Sequence, residues 1–432
     1  MKGRSYLCIR GGEVIDPVRQ RRERKDLYIA QGRIVDPATL EPDIPWRIVE
    51  AEGKLVCPGL IDLHVHVREP GQAYKETLES CSLSAASGGF TTIVAMPNTS
   101  PPLDTPQAVR WLLEQSQKRS AVRILPTGCL TRGRQGKELA PMAALREAGV
   151  VAFTDDGDCV QNAELMRRAL EYAAMLGVPV LDHCQEKTLT EGAVMNEGYW
   201  SSVLGLKGWP SVAEELMVAR DILLAEHCQA RVHCQHLSSR NSVRLIREAR
   251  LRGVPVTAEV TPHHLALTEE CLKEFDPLYK VNPPLRTRWD CQALAEAVAE
   301  GTISVLATDH APHAPHEKEV ELDLAPFGMI GLSTALGVYG RVFVETGLLS
   351  WEGVANRLTV GPARVLGLPD PLLEPGRVAD LVIVDPDIRW QVDDLSFSGL
   401  QGKSPFCGME LLGKVILTMV EGKIVWPKPE DF

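Results

Sequence analysis

The feature that most constrains the fold is a regular alternation of strand and helix patterns between residues 58 and 368. The predicted strands are separated by longer segments with helical periodicity, such as KETLESCSLSAASGG and ELMRRALEYAAMLG. The eight predicted strands are LIDLHVHV, TTIVAMPN, VRILPTGC, VVAFTDD, VPVLDHC, RVHCQHL, VPVTAEVT and ISVLATDH. Such alternation is typical of parallel β/α units, and eight units close a TIM barrel. An open doubly wound sheet is the alternative, but no glycine-rich phosphate loop follows the first strand.

The two chain ends have a different pattern. Residues 1–57 and 369–432 contain short strand-like pieces punctuated by turns, among them KDLYIAQGRIV and VILTMVEGKIVW. Such pieces predict a small β domain. If both ends build it, residues 58–368 are an insertion that leaves and returns to nearly the same place. The predicted fold is therefore an α/β protein, a (β/α)8 TIM barrel with a small β-sandwich domain built from both chain ends.

Composition restricts the partners of the chain. A hydrophobic fraction of 44% and a charged fraction of 24% are those of a soluble globular protein with a sizeable core. The net charge of -11 argues against nucleic acid and anionic membranes as partners, although a local arginine suffices for a small anionic substrate. The N-terminus lacks the apolar core of a signal peptide, so we expect a cytoplasmic protein. The 11 scattered cysteines predict free thiols rather than disulfides.

The first predicted strand carries the segment GLIDLHVHVREPG, residues 59–71, with two histidines two residues apart. Side chains alternate along a strand, so we expect Asp62, His64 and His66 on one face, with Leu63 and Val65 on the other. Two imidazoles on a buried face need hydrogen bonds or a metal ion to offset their loss of water. The pair therefore indicates either a metal site or hydrogen-bonded core histidines.

Polar residues also follow the other predicted strands, at the end of the barrel where TIM-barrel chemistry takes place. Taken singly, His183 could be a core histidine, Asp156 a turn residue and Arg68 a partner in a surface ion pair. Taken together, four histidines and two aspartates are the nitrogen and oxygen ligands that Zn²⁺ prefers. The candidate ligands are His64, His66, Asp156, His183, His236 and Asp309.

Three other histidines are expected to be structural. His233 has the opposite strand parity to His236, so it should face the surrounding helices. His263 and His264 follow the seventh predicted strand, and we expect both to support the fold rather than bind a metal.

These residues carry a resemblance to a known family. Two histidines after the first strand, single histidines after the fifth and sixth, and an aspartate after the eighth resemble the amidohydrolase superfamily. The motifs DLHVHVREPG, AMPNT, FTDDG, KVNPPLR and TDHAPH with APFGMIGL resemble the dihydroorotases, the long-chain type I group in particular. The resemblance covers essentially the whole chain, and HVHVREPG with NPPLR is its most specific part.

The resemblance implies zinc, one or two ions per subunit. The matching ligand sets are His64, His66 and Asp309 for one ion, and His183 and His236 for the other. Many relatives bridge the two ions with a carbamylated lysine after the fourth strand, where this chain reads FTDDGD. The matching bridge is Asp156, or Asp155 if the register is one residue off. Asp309 is the implied catalytic residue, first a base and then an acid.

The resemblance also implies the residues that bind the substrate. In the family, three residues bind the substrate carboxylate, and the matching positions of this chain are Arg68, Asn98 and His313. The family's residues that surround the substrate ring correspond here to Asn282 and the backbone of Pro326, Phe327 and Gly328. An arginine suits this task because its planar fork pairs with both carboxylate oxygens. Ser333, where relatives usually carry glutamate, is expected to face away from the metals.

The implied activity is the reversible cyclisation of N-carbamoyl-L-aspartate to L-dihydroorotate in de novo pyrimidine (UMP) biosynthesis. The family also implies a homo-oligomer, such as a dimer, and a complex with aspartate transcarbamoylase. Two other functions stay open. One is another cyclic amidase, a hydantoinase or allantoinase. The other is a non-catalytic homologue that serves as a structural partner of aspartate transcarbamoylase.

Overall fold

The computed structural model describes residues 6–40, 45–393 and 403–427. Its central sheet has eight strands, each hydrogen-bonded to the next in chain order, and their pairings are parallel. We number them barrel strands 1 to 8: Leu60–Val65, Phe90–Ala95, Arg123–Gly128, Ala152–Phe153, Val180–Asp182, Val232–Cys234, Val256–Val260 and Val305–Leu306. The eight-stranded barrel predicted from the sequence is confirmed, and every predicted strand overlaps an observed one.

Helices follow the barrel strands, and several begin at a capping side chain. Thr77 accepts a hydrogen bond from the Ser80 amide, and Asn162 accepts one from Leu165, so amides of the first turn are satisfied. The α-helices are Leu78–Ser87, Pro106–Arg119, Met142–Ala148, Ala163–Met175, Lys187–Thr190, Tyr199–Leu204, Val212–Cys228, Arg240–Leu251, Pro262–Ala266, Arg288–Glu300, Pro315–Lys318, Ala335–Tyr339, Trp351–Leu358 and Val360–Leu366. A π-helical turn spans Gly340–Val344, and short 3-10 turns span Pro37–Thr39, Arg132–Arg134, Glu269–Leu272 and Pro277–Tyr279. Among the described residues, no helix combines the length and apolar character needed to cross a membrane.

The barrel closes where strand 1 meets strand 8. The fully buried Asp62 accepts hydrogen bonds from the Thr308 amide at 3.1 Å and the Thr308 hydroxyl at 2.6 Å. The amide of His66 donates to the carbonyl of His310 at 2.9 Å. Burial raises the pKa of Asp62 to about 7, against the effect of these hydrogen bonds. This seam holds the two histidines of strand 1 beside the residues that follow strand 8.

Strand 1 departs from regular alternation. Its pairing with strand 2 shifts register between Asp62 and Val65. Leu63 packs with Val94 of strand 2 and with residues of strands 4, 5 and 8, whereas Val65 belongs to the cluster shared with the outer helices. The expectation that Leu63 and Val65 share one face is therefore wrong, because the irregularity turns the end of the strand relative to its start.

The chain ends form two further sheets, of which the four-stranded sheet contains N-terminal strands alone and the six-stranded sheet contains strands from both ends. The four-stranded sheet has the order Arg33–Val35, Leu27–Ala30, Tyr6–Arg10 and Arg47–Glu50. The six-stranded sheet has the order Lys423–Trp426, Glu410–Val420, Leu381–Gln391, Leu55–Pro58, Glu13–Asp16 and Arg21–Arg24. Buried residues of both sheets, such as Ile9 and Leu417, form one core. A two-stranded sheet, Met195–Asn196 with Gly208–Trp209, lies in the connection after strand 5.

Candidate active site and metal centre

Asp156 faces four histidines from three barrel strands. Its Oδ2 lies 3.3 Å from His64 Nε2 and 3.4 Å from His66 Nε2. Its Oδ1 lies 3.3 Å from His183 Nδ1 and 3.5 Å from His236 Nε2. Each carboxylate oxygen therefore lies beside one pair of imidazoles. A carboxylate that bridges two metal ions would need its two oxygens directed in this way.

The neighbouring Asp155 points elsewhere. Its carboxylate accepts hydrogen bonds from the amides of Leu130 and Thr131, at 2.9 and 3.0 Å, and from the Thr131 hydroxyl. The structure therefore places Asp156, and not Asp155, against the histidines. Asp155 instead ties the loop after strand 3 to the end of strand 4.

Asp309 lies beside the two histidines of strand 1. Its Oδ1 lies 3.0 Å from His66 Nε2 and 3.4 Å from His64 Nε2. Burial opposes ionisation of Asp309, but the adjacent His64 and His66 hold its pKa below the usual range. Burial likewise raises the pKa of Asp156, but the neighbouring imidazoles outweigh it and hold that pKa well below its usual value.

The arrangement fits a metal cation. His64 Nε2 and both carboxylate oxygens of Asp156 are buried and lack a hydrogen-bond partner. Burial would lower the pKa of His64, but three surrounding carboxylates raise it well above its usual value. The donor atoms of His64, Asp156 and His236 lie close enough to share one ion, as do those of His64, His66 and Asp309. Buried imidazole and carboxylate groups of this kind are ligands for zinc and similar divalent metals.

Glu259 on strand 7 fixes the orientation of His64. Its Oε1 lies 2.7 Å from His64 Nδ1, so that ring nitrogen donates to the carboxylate and Nε2 is left for a metal. Its Oε2 lies 3.0 Å from His233 Nε2. Burial raises the pKa of Glu259, but His64 and His233 outweigh it and bring the pKa to about 2. Glu259 was not predicted from the sequence, although a charged residue inside an apolar strand is a signal that could have identified it.

His233 does not face the helices, so that expectation is wrong. It is fully buried and contacts Glu259 and Thr257, the latter 2.8 Å from its Nδ1. Strand 6 ends at Cys234, and His236 adopts a left-handed backbone with φ of 32°. Because the chain turns at this point, the parity of the strand no longer applies to His236. Arg68 and Asp309, with φ of 60° and 48°, also have a left-handed backbone, which residues other than glycine rarely adopt.

A cavity of about 370 Å³ opens above the histidines at the carboxyl ends of the strands. Every proposed ligand except His64 lines it, and so does every proposed substrate-binding residue: Arg68, Asn98, Asn282, His313, Pro326, Phe327 and Gly328. The cavity is of a size that takes small metabolites. Arg134, in the loop after strand 3, also lines the cavity and was not predicted from the sequence. Its guanidinium donates to Asp158 at 2.8 Å.

Arg68 is buried in the cavity wall rather than paired at the surface. Its Nε donates to the carbonyl of Pro312 at 3.0 Å, and its exposed fraction is 8%. The neighbouring Glu69 pairs with Arg119 instead. Burial lowers the pKa of Arg68, against the charges of nearby carboxylates. The interpretation of Arg68 as part of a surface ion pair is therefore wrong, and its guanidinium faces the cavity.

His313 is held beside Arg68 in its neutral form. Its Nε2 donates to the carbonyl of Phe327 at 2.7 Å, and its Nδ1 accepts from Lys75 Nζ at 3.1 Å. Burial and the charges of Arg68 and Lys75 lower the pKa of His313 to about 2. Gly328 has φ of 140°, and a Cβ there would lie 2.9 Å from His313 Nε2, so the close contact requires glycine.

The remaining candidates have distinct surroundings. His66 Nδ1 lies 2.9 Å from Asn98 Oδ1, and Asn282 donates to Gln185 at 3.2 Å. His264 is buried and contacts Thr261 and the carbonyl of Pro283, a structural role. Ser333 bonds Ser87 at 2.8 Å, on the helix side of the barrel.

The barrel with buried histidines and carboxylates at its carboxyl end defines a class, the TIM-barrel amidohydrolases that act on cyclic amides. The chain is similar to the solved L-hydantoinase (dihydropyrimidinase) from Arthrobacter aurescens, at 27% identity and a TM-score of 0.86 over 97% of this chain and 95% of that one. The D-hydantoinase from a Thermus species is similar in fold, at 24% identity and a TM-score of 0.81 over 97% of this chain and 94% of that one.

Within this class, sequence comparison distinguishes the family. A family model described as Dihydro-orotase-like matches residues 53–242. The dihydroorotases of Pelotomaculum thermopropionicum and Acetivibrio thermocellus are 51% and 44% identical to this chain over 419 residues, which cover 97% of this chain and 98% of each relative. The chain belongs to the dihydroorotase family.

Proposed function

We propose that this protein is a zinc-dependent dihydroorotase, which interconverts N-carbamoyl-L-aspartate and L-dihydroorotate. The observation that carries the proposal is the buried Arg68, whose guanidinium lines the same cavity as the proposed metal ligands. A buried arginine is costly unless a partner compensates its charge. Dihydroorotate and carbamoyl aspartate both carry a carboxylate suited to this partner, whereas a simple hydantoin or dihydrouracil ring carries none.

The proposed metal ligands form two half-sites that share Asp156. The first consists of His64, His66 and Asp309, and the second of His183 and His236. A zinc ion bound there would lower the pKa of a water molecule and polarise the amide carbonyl of the substrate. The orphaned His64 Nε2 and Asp156 oxygens support this proposal, because each would otherwise be an unsatisfied buried group.

Asp309 is the proposed catalytic residue. Its carboxylate contacts the two imidazoles of strand 1 and lines the cavity in which the substrate amide would lie. In the hydrolytic direction it accepts a proton from the water and then delivers it to the departing ring nitrogen. In the synthetic direction the same carboxylate takes the proton from the ureido nitrogen as the ring closes and delivers it to the departing hydroxide, which leaves as water.

Three side chains are proposed to hold the substrate carboxylate: Arg68, Asn98 and His313. Arg68 supplies the charge and a planar fork, and its position is set by the carbonyl of Pro312. Asn282 and the backbone of Pro326, Phe327 and Gly328, which line the same cavity, are proposed to surround the ring. Fixing both the carboxylate and the ring aligns the amide with the proton acceptor.

We further propose the setting in which the enzyme works. It would act in the cytoplasm in pyrimidine biosynthesis, as a homodimer and in a complex with aspartate transcarbamoylase. The proposed domains are residues 58–368 for catalysis, and residues 1–57 with 369–432 for the β-sandwich. Pro58 ends a strand of the six-stranded sheet and Leu60 begins the barrel, which supports a boundary at this point.

A substrate panel tests the proposal. The zinc-loaded protein is assayed with dihydroorotate, dihydrouracil, hydantoin and allantoin, and we expect turnover of dihydroorotate alone. In the Arg68→Met variant, KM for dihydroorotate should rise about tenfold to hundredfold, the loss expected for charge-assisted hydrogen bonds. The exposed Arg132→Met substitution is the control. Turnover of hydantoin or allantoin with no dihydroorotate activity would overturn the proposal.

A further inference from the structure

A second cavity lies at the end of the barrel opposite to the catalytic cavity. It has a volume of about 340 Å³. Residues at the amino-terminal starts of strands 5 to 8 line it, namely Pro179, Val232, Val256 and Ser304. The catalytic cavity lies beyond the carboxyl ends of the strands, so the two sites are on opposite faces of the same barrel. The proposed function gives this second cavity no role.

Four arginines line this amino-terminal cavity: Arg231, Arg250, Arg357 and Arg364. Among the residues that the structure describes, no aspartate or glutamate is part of its lining. Glutamates of the surrounding helices pair with other arginines: Glu226 with Arg252, Glu248 with Arg244 and Glu300 with Arg247. Within the described part of the chain, these four cations therefore have no carboxylate partner, in a protein with a net charge of -11.

Backbone carbonyls hold three of the four guanidinium groups in place. Arg231 donates to the carbonyl of Gly177 at 2.7 Å and to that of Val365 at 3.2 Å. Arg250 donates to the carbonyl of Thr302 at 2.6 Å, and Arg357 to that of Val298 at 3.1 Å. Carbonyls at helix ends offset only part of a positive charge. They orient the arginines while each guanidinium keeps further N–H groups for an anion.

Arg357 shows that the charges are not neutralised. It is half-buried, and burial together with the adjacent Arg250 charge lowers its pKa. Two like charges held together near a partly desolvated cavity repel each other, and a bound anion would remove that repulsion. Arginine is the side chain that best matches phosphate oxygens, because its fork donates two parallel hydrogen bonds.

Most of the remaining lining is apolar, and its polar members are Thr257, Ser304 and Asn356. Pro179, Val232, Val256, Val360 and Val365 form walls between the arginines. A bare inorganic anion would leave these walls without contact, whereas a compact organic group would cover them. The volume is at the lower end of the range for small-molecule sites. The chemistry of the cavity therefore suits a small organic molecule that carries a phosphate.

We propose that the amino-terminal cavity binds an organic phosphate of the size of a nucleoside monophosphate. The four arginines hold the phosphate at the rim, and the proline and valine walls contact the organic group. This site is separate from the catalytic cavity, and the proposal does not depend on the function proposed there.

Titration calorimetry of the full-length, metal-loaded protein tests the proposal, with adenosine 5′-monophosphate, adenosine and inorganic phosphate as probes. We expect the monophosphate to bind, and to bind more tightly than either of its parts. Absence of binding at millimolar monophosphate would overturn the proposal. Inorganic phosphate that binds as tightly as the monophosphate would overturn it as well, because the apolar walls would then contribute nothing.

Variants locate the bound probe. Arg250 and Arg364 are exposed at the rim, so the double Arg250→Gln, Arg364→Gln variant should fold normally. Its affinity for the monophosphate should fall at least about tenfold. Arg244→Gln on the same helix as Arg250 is the matched control, and Arg68→Met removes anion binding in the catalytic cavity. Both should keep the affinity of the unmodified protein. An unchanged affinity in the double variant, or its loss in Arg68→Met, would place the probe elsewhere and contradict the proposal.

Discussion

At the scale of single residues, the site depends on buried charges that offset one another. Asp156, Asp309 and Glu259 all lie within 3.4 Å of His64, one of the few fully buried histidines with an unsatisfied nitrogen. Removing any one carboxylate changes the charge that a bound cation experiences. The three have different positions, however, so their substitutions should have different consequences for metal binding and for turnover.

For Asp309, we expect loss of catalysis with retention of metal. Asp309→Asn keeps an oxygen ligand but cannot accept a proton, so kcat for dihydroorotate should fall about 10²-fold to 10⁴-fold. Steady-state kinetics give kcat, and elemental analysis of the same sample gives the metal content. Near-normal turnover in a fully metallated Asp309→Asn sample would remove the proposed acid–base role.

For Glu259, we expect weaker metal binding. Glu259→Gln preserves the shape of the side chain but removes the charge that orients the Nδ1 proton of His64. Metal affinity, measured by competition with a chelator, should fall about tenfold to hundredfold. Glu269→Gln is the matched control, because Glu269 is also buried but bonds Asn196. Equal affinity in the two variants would show that Glu259 does not support the metal site.

At the scale of elements, the loop between Ala314 and Gly328 forms one wall of the catalytic cavity. The ammonium group of Lys318 donates to the carbonyls of Pro277 at 3.1 Å and Pro326 at 2.8 Å. Lys280 donates to the carbonyl of Leu322 at 2.7 Å from the segment that follows strand 7. Two lysines thus attach the loop to the barrel and position the backbone that is proposed to surround the substrate ring.

Lys318→Met should loosen this wall. Because the loop is proposed to bind substrate and carries no proposed catalytic residue, we expect KM for dihydroorotate to rise about tenfold while kcat changes little. Steady-state kinetics separate the two parameters. Lys118→Met, at an exposed position on Pro106–Arg119, is the control and should leave both unchanged. A fall in kcat at unchanged KM would contradict this role for the loop.

Local patterns were sufficient to predict the elements of the barrel. The strand–helix alternation predicted all eight strands, and the polar residues at their ends, together with the resemblance to the dihydroorotases, predicted residues that line the cavity. The register shift in strand 1 was not predictable, because it depends on pairing with strand 2. The contact between Glu259 and His64, 195 residues apart, likewise depends on closure of the barrel. The orientation of His233 was mispredicted because strand parity ends at the turn before His236.

At the scale of the whole molecule, the chain ends are joined in the six-stranded sheet. Leu55–Pro58 pairs with Leu381–Gln391, and Ile383 lies opposite Leu417 on the next strand. Ile383 and Leu417 pack in a core between the two end sheets, away from the catalytic cavity, whereas other residues of these strands, such as Val382, pack in the barrel core. Stability of the end sheets and chemistry in the barrel should therefore respond to different substitutions.

Leu417→Ala tests this separation. The side chain is 1% exposed, and its truncation should lower the free energy of unfolding by about 2–5 kcal/mol. The neighbouring Ile416, 38% exposed, provides the control, since Ile416→Ala should cost far less. Urea unfolding gives the stabilities, and KM for dihydroorotate should be unchanged in both variants. A raised KM in Leu417→Ala would show that the end sheets shape the active site.

We propose that this family member hydrolyses dihydroorotate with a metal held by the barrel histidines. The most direct measurement is dihydroorotate turnover by the purified protein after removal of metal with a chelator, and again after addition of zinc. We predict no turnover without metal and recovery with one or two zinc ions per chain. Full activity in the metal-depleted protein, or no activity at full zinc occupancy, would contradict the claim.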